Sequence, residues 1–569
     1  MHKKKINKFF NNLILLLFTG TILSSCGGGQ LSKKNSDEYR NGMVVSAHPS
    51  ASKVGLDILK KGGNAVDAAV AVQFALAVVY PVAGNIGGGG FMVYRSADGN
   101  IASLDFREKA PGSASRDMFL DTAGNAIAEK SLYGHLAAGV PGSVDGMVQA
   151  HAKYGKLSWA DVVQPSVDLA RRGFPITESQ ANDFTGDQKD FIKYNPGKTY
   201  FIKEKWTSGE LWLQEDLAHT LELIRDKGRE GFYAGEVADL IVAEMHSGGG
   251  LISREDLNKY HAVWREPVVG NYKSFKVITM PPPSSGGIAL LQLLNSVEQY
   301  PLKRWGFNSD SAVQVMVEAE RRVYADRASH LGDPDFYKVP QKHLVKSAYS
   351  KDRMSTFNWN KATLSSDIKA GNMPMESEET THFSVVDRQG NAVSITTTLN
   401  GGYGSKVFVK GAGFLLNNEM DDFSVKPGSP NMYGLLGGEA NAIQPGKRML
   451  SSMTPTILEK DGKLFMILGS PGGSTIITSV FQTILNVVEF DKGMQSAVSS
   501  KRFHHQWYPD EVLFETQGLD SMARVRLVKK GYKFLERSAI GRVDAILKNK
   551  WGYYEGGADP RGDDTKLGW

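Results

Sequence analysis

The sequence predicts a layered α+β fold in which both halves of the chain share one body. Three observations carry this. Apolar residues recur at helical spacing from Ala51 as far as Ala328; paired segments rich in β-branched residues, separated by turn residues, begin at Thr380; and a glycine-rich turn at Gly469-Ser470-Pro471-Gly472-Gly473 leads back into a helix.

With 569 residues, 41% of them hydrophobic and 22% charged, the chain has material for a large core, and its composition excludes a disordered, collagenous or polytopic membrane protein. The formal charge is +5, yet Lys3, Lys4, Lys5 and Lys8 crowd the N-terminus, so the body is nearly neutral. A broad nucleic-acid surface, which needs many clustered cations, is not expected.

Residues 1–25 read as an export signal, with those lysines ahead of an apolar stretch from Phe9 to Leu23. Leu23-Ser24-Ser25-Cys26-Gly27 resembles the bacterial lipobox, whose Cys becomes the lipidated first residue of the mature protein. Residues 26–41 then form a tether. The expectation is an exported bacterial lipoprotein, held at a membrane through its N-terminal lipid alone and facing the periplasm or cell surface. Each buried CH2 of an acyl chain contributes about 0.8 kcal/mol to such anchoring. Cys26 is the only cysteine, which excludes an internal disulfide and leaves stability to core packing.

A helix around Val54, Ile58 and Leu59 is followed by the apolar run Ala65 to Tyr80, which contains Asp67 and Gln73 and stops at Pro81. It is too short and too polar for a membrane span and reads as a buried core helix. Further helical patterns occupy Val144 to Tyr154, Trp159 to Arg172, Leu217 to Arg225, Glu236 to Met245, Gly287 to Val297 and Ser311 to Ala328. Val345 to Glu379 loses apolar periodicity, turns acidic and reads as an exposed connection. Next come two hairpins. Thr380 to Asp387 and Ala392 to Thr398 flank Arg388-Gln389-Gly390-Asn391, and Thr454 to Glu459 and Lys463 to Leu468 close around Asp461-Gly462. Gly469-Ser470-Pro471-Gly472-Gly473 then leads into a helix from about Ser474 to Val488.

Several motifs carry no chemistry. Gly87-Gly88-Gly89-Gly90 lacks the Lys-Ser/Thr of a phosphate loop and reads as a tight turn packed under a strand. Ser50-Ala51-Ser52-Lys53 matches Ser-x-x-Lys without its companion Lys-Thr-Gly. His504 and His505 would point to opposite sides of an extended chain, so they suit hydrogen bonding better than metal chelation.

The chemistry starts at Thr380. A threonine hydroxyl is a weak nucleophile that needs a base, and an α-amino group, with a pKa of about 7.7 to 8.0, can serve if the threonine begins a chain. Thr380 lies where an acidic segment meets the first strand of a hairpin, a place where cleavage would expose such a start. With the turn centred on Gln389-Gly390, antiparallel register sets Thr380 opposite Thr398 to Asn400, bringing a hydroxyl and an amide beside it. Gly472 and Gly473, ahead of a helix start, read either as backbone donors for an oxyanion or as a plain turn and N-cap.

The segments Thr380-Thr381-His382-Phe383-Ser384-Val385-Val386-Asp387, Thr398-Leu399-Asn400, Leu416-Asn417-Asn418-Glu419-Met420-Asp421-Asp422-Phe423, Leu450-Ser451-Ser452-Met453 and Gly469-Ser470-Pro471-Gly472-Gly473 closely resemble the γ-glutamyltranspeptidase family. So do Leu104-Asp105-Phe106-Arg107-Glu108, Gly139-Val140-Pro141-Gly142, Pro282-Pro283-Ser284-Ser285-Gly286-Gly287 and Tyr324-Ala325-Asp326-Arg327, giving coverage from about Gly42 almost to the C-terminus.

The resemblance implies an N-terminal-nucleophile hydrolase with an αββα sandwich, made as a precursor that cuts itself between Glu379 and Thr380. Residues 42–379 would belong to the large subunit and 380–569 to the small, catalytic one, the two forming a heterodimer. It also implies cleavage of γ-glutamyl compounds such as glutathione through an acyl-enzyme on Thr380, which passes the glutamyl group to water or to an amino acid or dipeptide. Thr398 would orient the nucleophile, and Gly472 and Gly473 would hold the tetrahedral intermediate. Arg107, Ser451 and Ser452 would bind the α-carboxylate, while Asn400, Glu419 and Asp422 would receive the α-ammonium at the other side. Glu419 stands where many bacterial relatives carry Gln, and either can accept that hydrogen bond. The stretch from Pro427 to Gly438, with Tyr433, resembles the lid that covers the pocket in some members. Neither route calls for a metal or an organic cofactor. The alternatives are a β-lactam side-chain acylase of the same fold and a noncatalytic lipoprotein that binds peptides.

Overall fold

Strand Thr381–Val386 shows how the layers arise. Phe383 and Val385 face one way, into a core with the helices Pro49–Lys60 and Ala65–Val79, whereas Val386 faces a second core together with Met43, Val45, Phe91 and Val93 from neighbouring strands. Both faces are buried, so the polar side chains of His382 and Ser384 are hydrogen-bonded rather than solvated.

The computed structural model describes residues 38–197, 199–368, 380–426 and 438–569. The expected leader 1–25, Cys26 with the tether as far as residue 37, the cut-site residue Glu379 and the lid residue Tyr433 lie outside the described residues. Residues 39–569 form one compact unit.

Two antiparallel sheets make its centre. One runs in the order Thr565–Gly568, Met43–Ser46, Thr381–Val386, Ala392–Thr398, Gly89–Arg95, Ile101–Phe106 and Val263–Arg265. Six strands of the other run in the order Tyr554–Gly557, Asp544–Lys548, Lys463–Gly469, Thr456–Lys460, Phe275–Thr279 and Val268–Tyr272. Ile278, Ile457, Ile467 and Ile546 of the second sheet meet Val45, Phe91 and Val93 of the first. Helices Pro49–Lys60, Ala65–Val79, Ser143–Tyr154 and Trp159–Arg172 contribute to the core on the outside of the first sheet, and Gly286–Val297, Asp310–His330 and Thr475–Val488 to that on the second. The result is the expected αββα stack.

Polar groups stitch the two sheets beside Thr380. His382 Nδ1 lies 2.9 Å from Thr396 Oγ1 and its Nε2 lies 3.1 Å from Ser384 Oγ, which donates to the Asp544 carbonyl; Ser394 Oγ donates to the Leu468 carbonyl. Gly469 makes room, because a Cβ there would stand 2.4 Å from the His382 ring. Complete burial pushes the His382 imidazole down to about 3, so it is neutral.

The first hairpin has Thr381 opposite Thr397 and Val386 opposite Ala392. Asp387 Oδ1 accepts the amides of Gln389, Gly390 and Asn391, while its Oδ2 accepts the Ala65 amide, so the turn also caps helix Ala65–Val79. Every residue of that helix is buried. Among the described residues, no helix is long and apolar enough to cross a membrane. The second hairpin closes in two residues, Lys460 opposite Lys463, with Asp461 and Gly462 at φ 52° and 72°.

Three expectations need correction. Residues 345–368 are not a plain exposed connection: Ser347–Arg353 is a helix and Met354, Ser365 and Ile368 are buried. Their partners are distant in sequence: Met354 and Ile368 join the apolar core of the second sheet, and Trp507 Nε1 donates to the Ser365 carbonyl at 2.9 Å, so no local apolar period announces them. The end of the tether is tied down, since the amides of Arg40 and Asn41 both donate to the Trp569 carbonyl. Helix Glu178–Tyr194 was not foreseen; its few apolar anchors, among them Phe184 and Phe191, pack on Tyr403 from the other half of the chain.

Candidate active site

Thr380 stands immediately before its strand, 8% exposed, with its Oγ1 3.4 Å from Thr398 Oγ1. That is longer than the usual hydroxyl hydrogen bond of about 2.7 to 2.8 Å, but within reach of one. Thr398 is held by its surroundings: its Oγ1 accepts the Asn400 amide at 2.8 Å and its carbonyl accepts Asn85 Nδ2 at 2.8 Å. Asn400 adopts φ 74°, a left-handed conformation that Asn tolerates, and its Nδ2 donates to the Asn418 carbonyl at 2.9 Å. The glycine run lies beneath this strand end. A Cβ on Gly88 would sit 2.1 Å from the Thr398 carbonyl oxygen and one on Gly87 2.2 Å from that of Leu415, so these glycines serve close packing.

Arg107 follows strand Ile101–Phe106 and is fully buried. Its guanidinium contacts Asp422, lies 2.6 Å from Glu419 Oε2 and 3.4 Å from Glu108 Oε2, and donates to the Leu450 carbonyl at 3.3 Å. The Glu419 contact is an ion pair by distance and is not aligned as a hydrogen bond. The sequence reading set Arg107 and the acceptors Glu419 and Asp422 on opposite sides of a ligand. The structure instead joins them, because a buried charge without an opposite partner is costly.

Three carboxyls around one guanidinium cannot all ionise cheaply. Burial raises all three: Glu108 to about 7, Glu419 well above its ordinary value, and Asp422 upward despite the opposing fields of Arg107 and Arg327. For Arg107, burial favours the neutral form, but Glu419, Glu108 and Asp422 outweigh it, so it stays charged.

On the facing wall, Gly472 and Gly473 have φ 125° and 52° ahead of helix Thr475–Val488. The Gly472 carbonyl accepts both the amide and the hydroxyl of Thr475, at 2.9 and 2.7 Å, which fixes the turn. The helix start contributes partial positive charge there.

A small cavity joins these groups, lined by Arg107, Thr380, Thr398, Asn400, Glu419, Asp422, Ser451, Ser452 and Gly473. Gly472 lies one residue behind the lining. Arg327, Met453 and Ile476 also line the cavity and were given no role from sequence. Arg327 lies within the Tyr324-Ala325-Asp326-Arg327 segment, the one signal that could have flagged it. His504 and His505 lie elsewhere, hydrogen-bonded to Thr478, Gln506 and the Trp507 amide.

A four-layer αββα body, in which a threonine leads a central strand into a cavity, defines the N-terminal-nucleophile hydrolase class. The Gamma-glutamyltranspeptidase family model matches residues 51–569, and the chain belongs to that family. It is 48% identical over 535 residues to the glutathione hydrolase proenzyme of Escherichia coli (strain K12), covering 93% of this chain and 92% of the relative. It is 36% identical over 536 residues to the acylase ACY 1 proenzyme of Pseudomonas sp. (strain V22), covering 92% and 93%. The crystal structure of cephalosporin acylase from Bacillus halodurans superposes with a TM-score of 0.84 at 26% identity, covering 96% of this chain and 99% of that one.

Proposed function

We propose that the chain is a self-processing γ-glutamyl transferase and hydrolase acting on glutathione and related γ-glutamyl compounds. One observation carries the reading: the same small cavity is lined by Thr380, two guanidinium side chains, two serines and two carboxyl side chains. A γ-glutamyl group needs that set, since it presents an α-carboxylate, an α-ammonium and a γ-amide to be cut.

In this reading the chain is cut between Glu379 and Thr380, giving a large subunit of residues 26–379 after removal of the leader and a small one of 380–569, which stay together as a heterodimer. The freed Thr380 amine takes the proton of its own hydroxyl as Oγ1 attacks the γ-carbonyl. Thr398 orients that oxygen, and the Gly472 and Gly473 amides receive the oxyanion. On binding, the α-carboxylate would take Arg107, with Ser451 and Ser452, from its ion pairs with Glu419 and Asp422, and these carboxyls with Asn400 would then receive the α-ammonium. Collapse breaks the C–N bond, the leaving amine takes a proton, and water or an amino acid then accepts the glutamyl group from Thr380. Tyr433 would belong to a cover over the bound glutamyl group. Lipidation of Cys26 would keep the enzyme at a membrane surface, exported to the periplasm or cell exterior.

A glutaryl side chain lacks the α-ammonium that Asn400, Glu419 and Asp422 are proposed to receive, so it would use fewer of the groups lining the cavity, which disfavours the acylase alternative.

The test is Thr380→Ala. Wild type should split into two fragments, release p-nitroaniline from γ-glutamyl-p-nitroanilide, and do so faster with glycylglycine as acceptor; the variant should do none of these. Turnover by the unsplit variant overturns the assignment.

A further inference from the structure

Arg327 projects from helix Asp310–His330 and is almost fully buried. Its Nε donates to Ser285 Oγ at 2.9 Å and its Nη2 to Ser452 Oγ at 3.0 Å. Ser285 in turn donates to the Ser451 carbonyl from both its amide, at 2.7 Å, and its hydroxyl, at 2.6 Å. One guanidinium thereby ties the segment preceding helix Gly286–Val297 to the Ser451-Ser452 wall.

The direction of these bonds matters. A guanidinium only donates, so Ser452 Oγ must accept from Arg327 and keep its own proton to give elsewhere. Ser451 Oγ is set in the same sense, accepting the Met453 amide at 3.2 Å. A hydroxyl that accepts from a cation is also a better donor to an anion, because hydrogen bonds in a chain polarise one another.

We infer that Arg327 is a positioning residue for carboxylate recognition: it makes Ser452 a committed donor to the ligand's α-carboxylate and adds a second positive charge on that side of the cavity. The inference rests on the proposed γ-glutamyl reading and adds to it a residue that acts through Ser452.

The experiment is a double-mutant cycle on the mature heterodimer with γ-glutamyl-p-nitroanilide. Arg327→Met should raise KM about tenfold, the worth of one charge-assisted hydrogen bond, and leave kcat within about threefold. Arg327→Lys should recover part of the loss. In a Ser452→Ala background, Arg327→Met should add less than about threefold, because the hydroxyl it sets is already gone. Unchanged KM, a loss confined to kcat, or losses that simply multiply would each overturn the inference. Should Arg327→Met fail to mature, Arg327→Lys is read in the same cycle by the same criteria. An inert wild type would overturn the proposed function and this inference together, whereas an active wild type beside an unaltered variant overturns this inference alone.

Discussion

The hydroxyls of Thr380 and Thr398 face each other across the open end of one hairpin, 3.4 Å apart, and the Thr398 oxygen is anchored by the Asn400 amide at 2.8 Å. Thr398→Val keeps the volume and removes the hydroxyl. Turnover should fall about a hundredfold, the order of effect expected when a group handling the nucleophile's proton is lost. Thr398→Ser should stay within about tenfold. Steady-state kinetics, with electrophoresis to follow splitting, checks both.

Gly88→Ala tests the packing beneath the site. A Cβ 2.1 Å from the Thr398 carbonyl forces backbone to move, at a cost of about 1–3 kcal/mol. The variant should melt lower and split more slowly than wild type. A normal melting point with normal splitting would show that the strand end yields freely.

Glu419→Gln probes the charge cluster. Burial raises the Glu419 carboxyl well above its ordinary value, so its charge appears only as pH rises through that higher value. The inhibition constant of L-glutamate for wild type should fall with rising pH over that range, and the ratio of variant to wild type should rise. At neutral pH the two should lie within about tenfold, since the amide oxygen still accepts a hydrogen bond. A ratio independent of pH would refute the titration.

His382→Asn addresses acid stability. The folded imidazole is depressed to about 3 from an ordinary 6.5, so between these values the unfolded chain binds the proton and the folded one does not. The stability contribution is therefore complete above pH 6.5 and is lost as pH falls toward 3, at about 1.4 kcal/mol per pH unit. Replacing the ring should flatten the pH dependence of the unfolding midpoint by that amount between pH 6 and 4, as read from chemical denaturation at several pH values.

The Thr380–Thr398 pairing was legible because a short turn fixes register, and one fixed pair dictates every other along the ladder. The buried helix Ala65–Val79 was legible from its unbroken apolar run. Arg107 was legible only as part of a motif, for its carboxylate partners Glu419 and Asp422 lie some 300 positions on, and nothing local says whether it faces water or a cluster. Arg327 stayed hidden for a related reason. It shares a helix with Arg321, Arg322 and Asp326, and only the fold decides which cation reaches the cavity while its neighbours pair with Asp510, Glu318 and Arg353.

Strand Thr381–Val386 is flanked by Met43–Ser46 on one side and Ala392–Thr398 on the other, and Thr565–Gly568 closes the edge beyond Met43–Ser46. A break in the backbone ahead of Thr380 would thus sever the covalent thread without loosening the weave. To part the pieces, hydrogen-bond ladders in both sheets would have to tear at once. Scission here would act like slitting a seam in a garment already knitted shut: it frees one new end and nothing else.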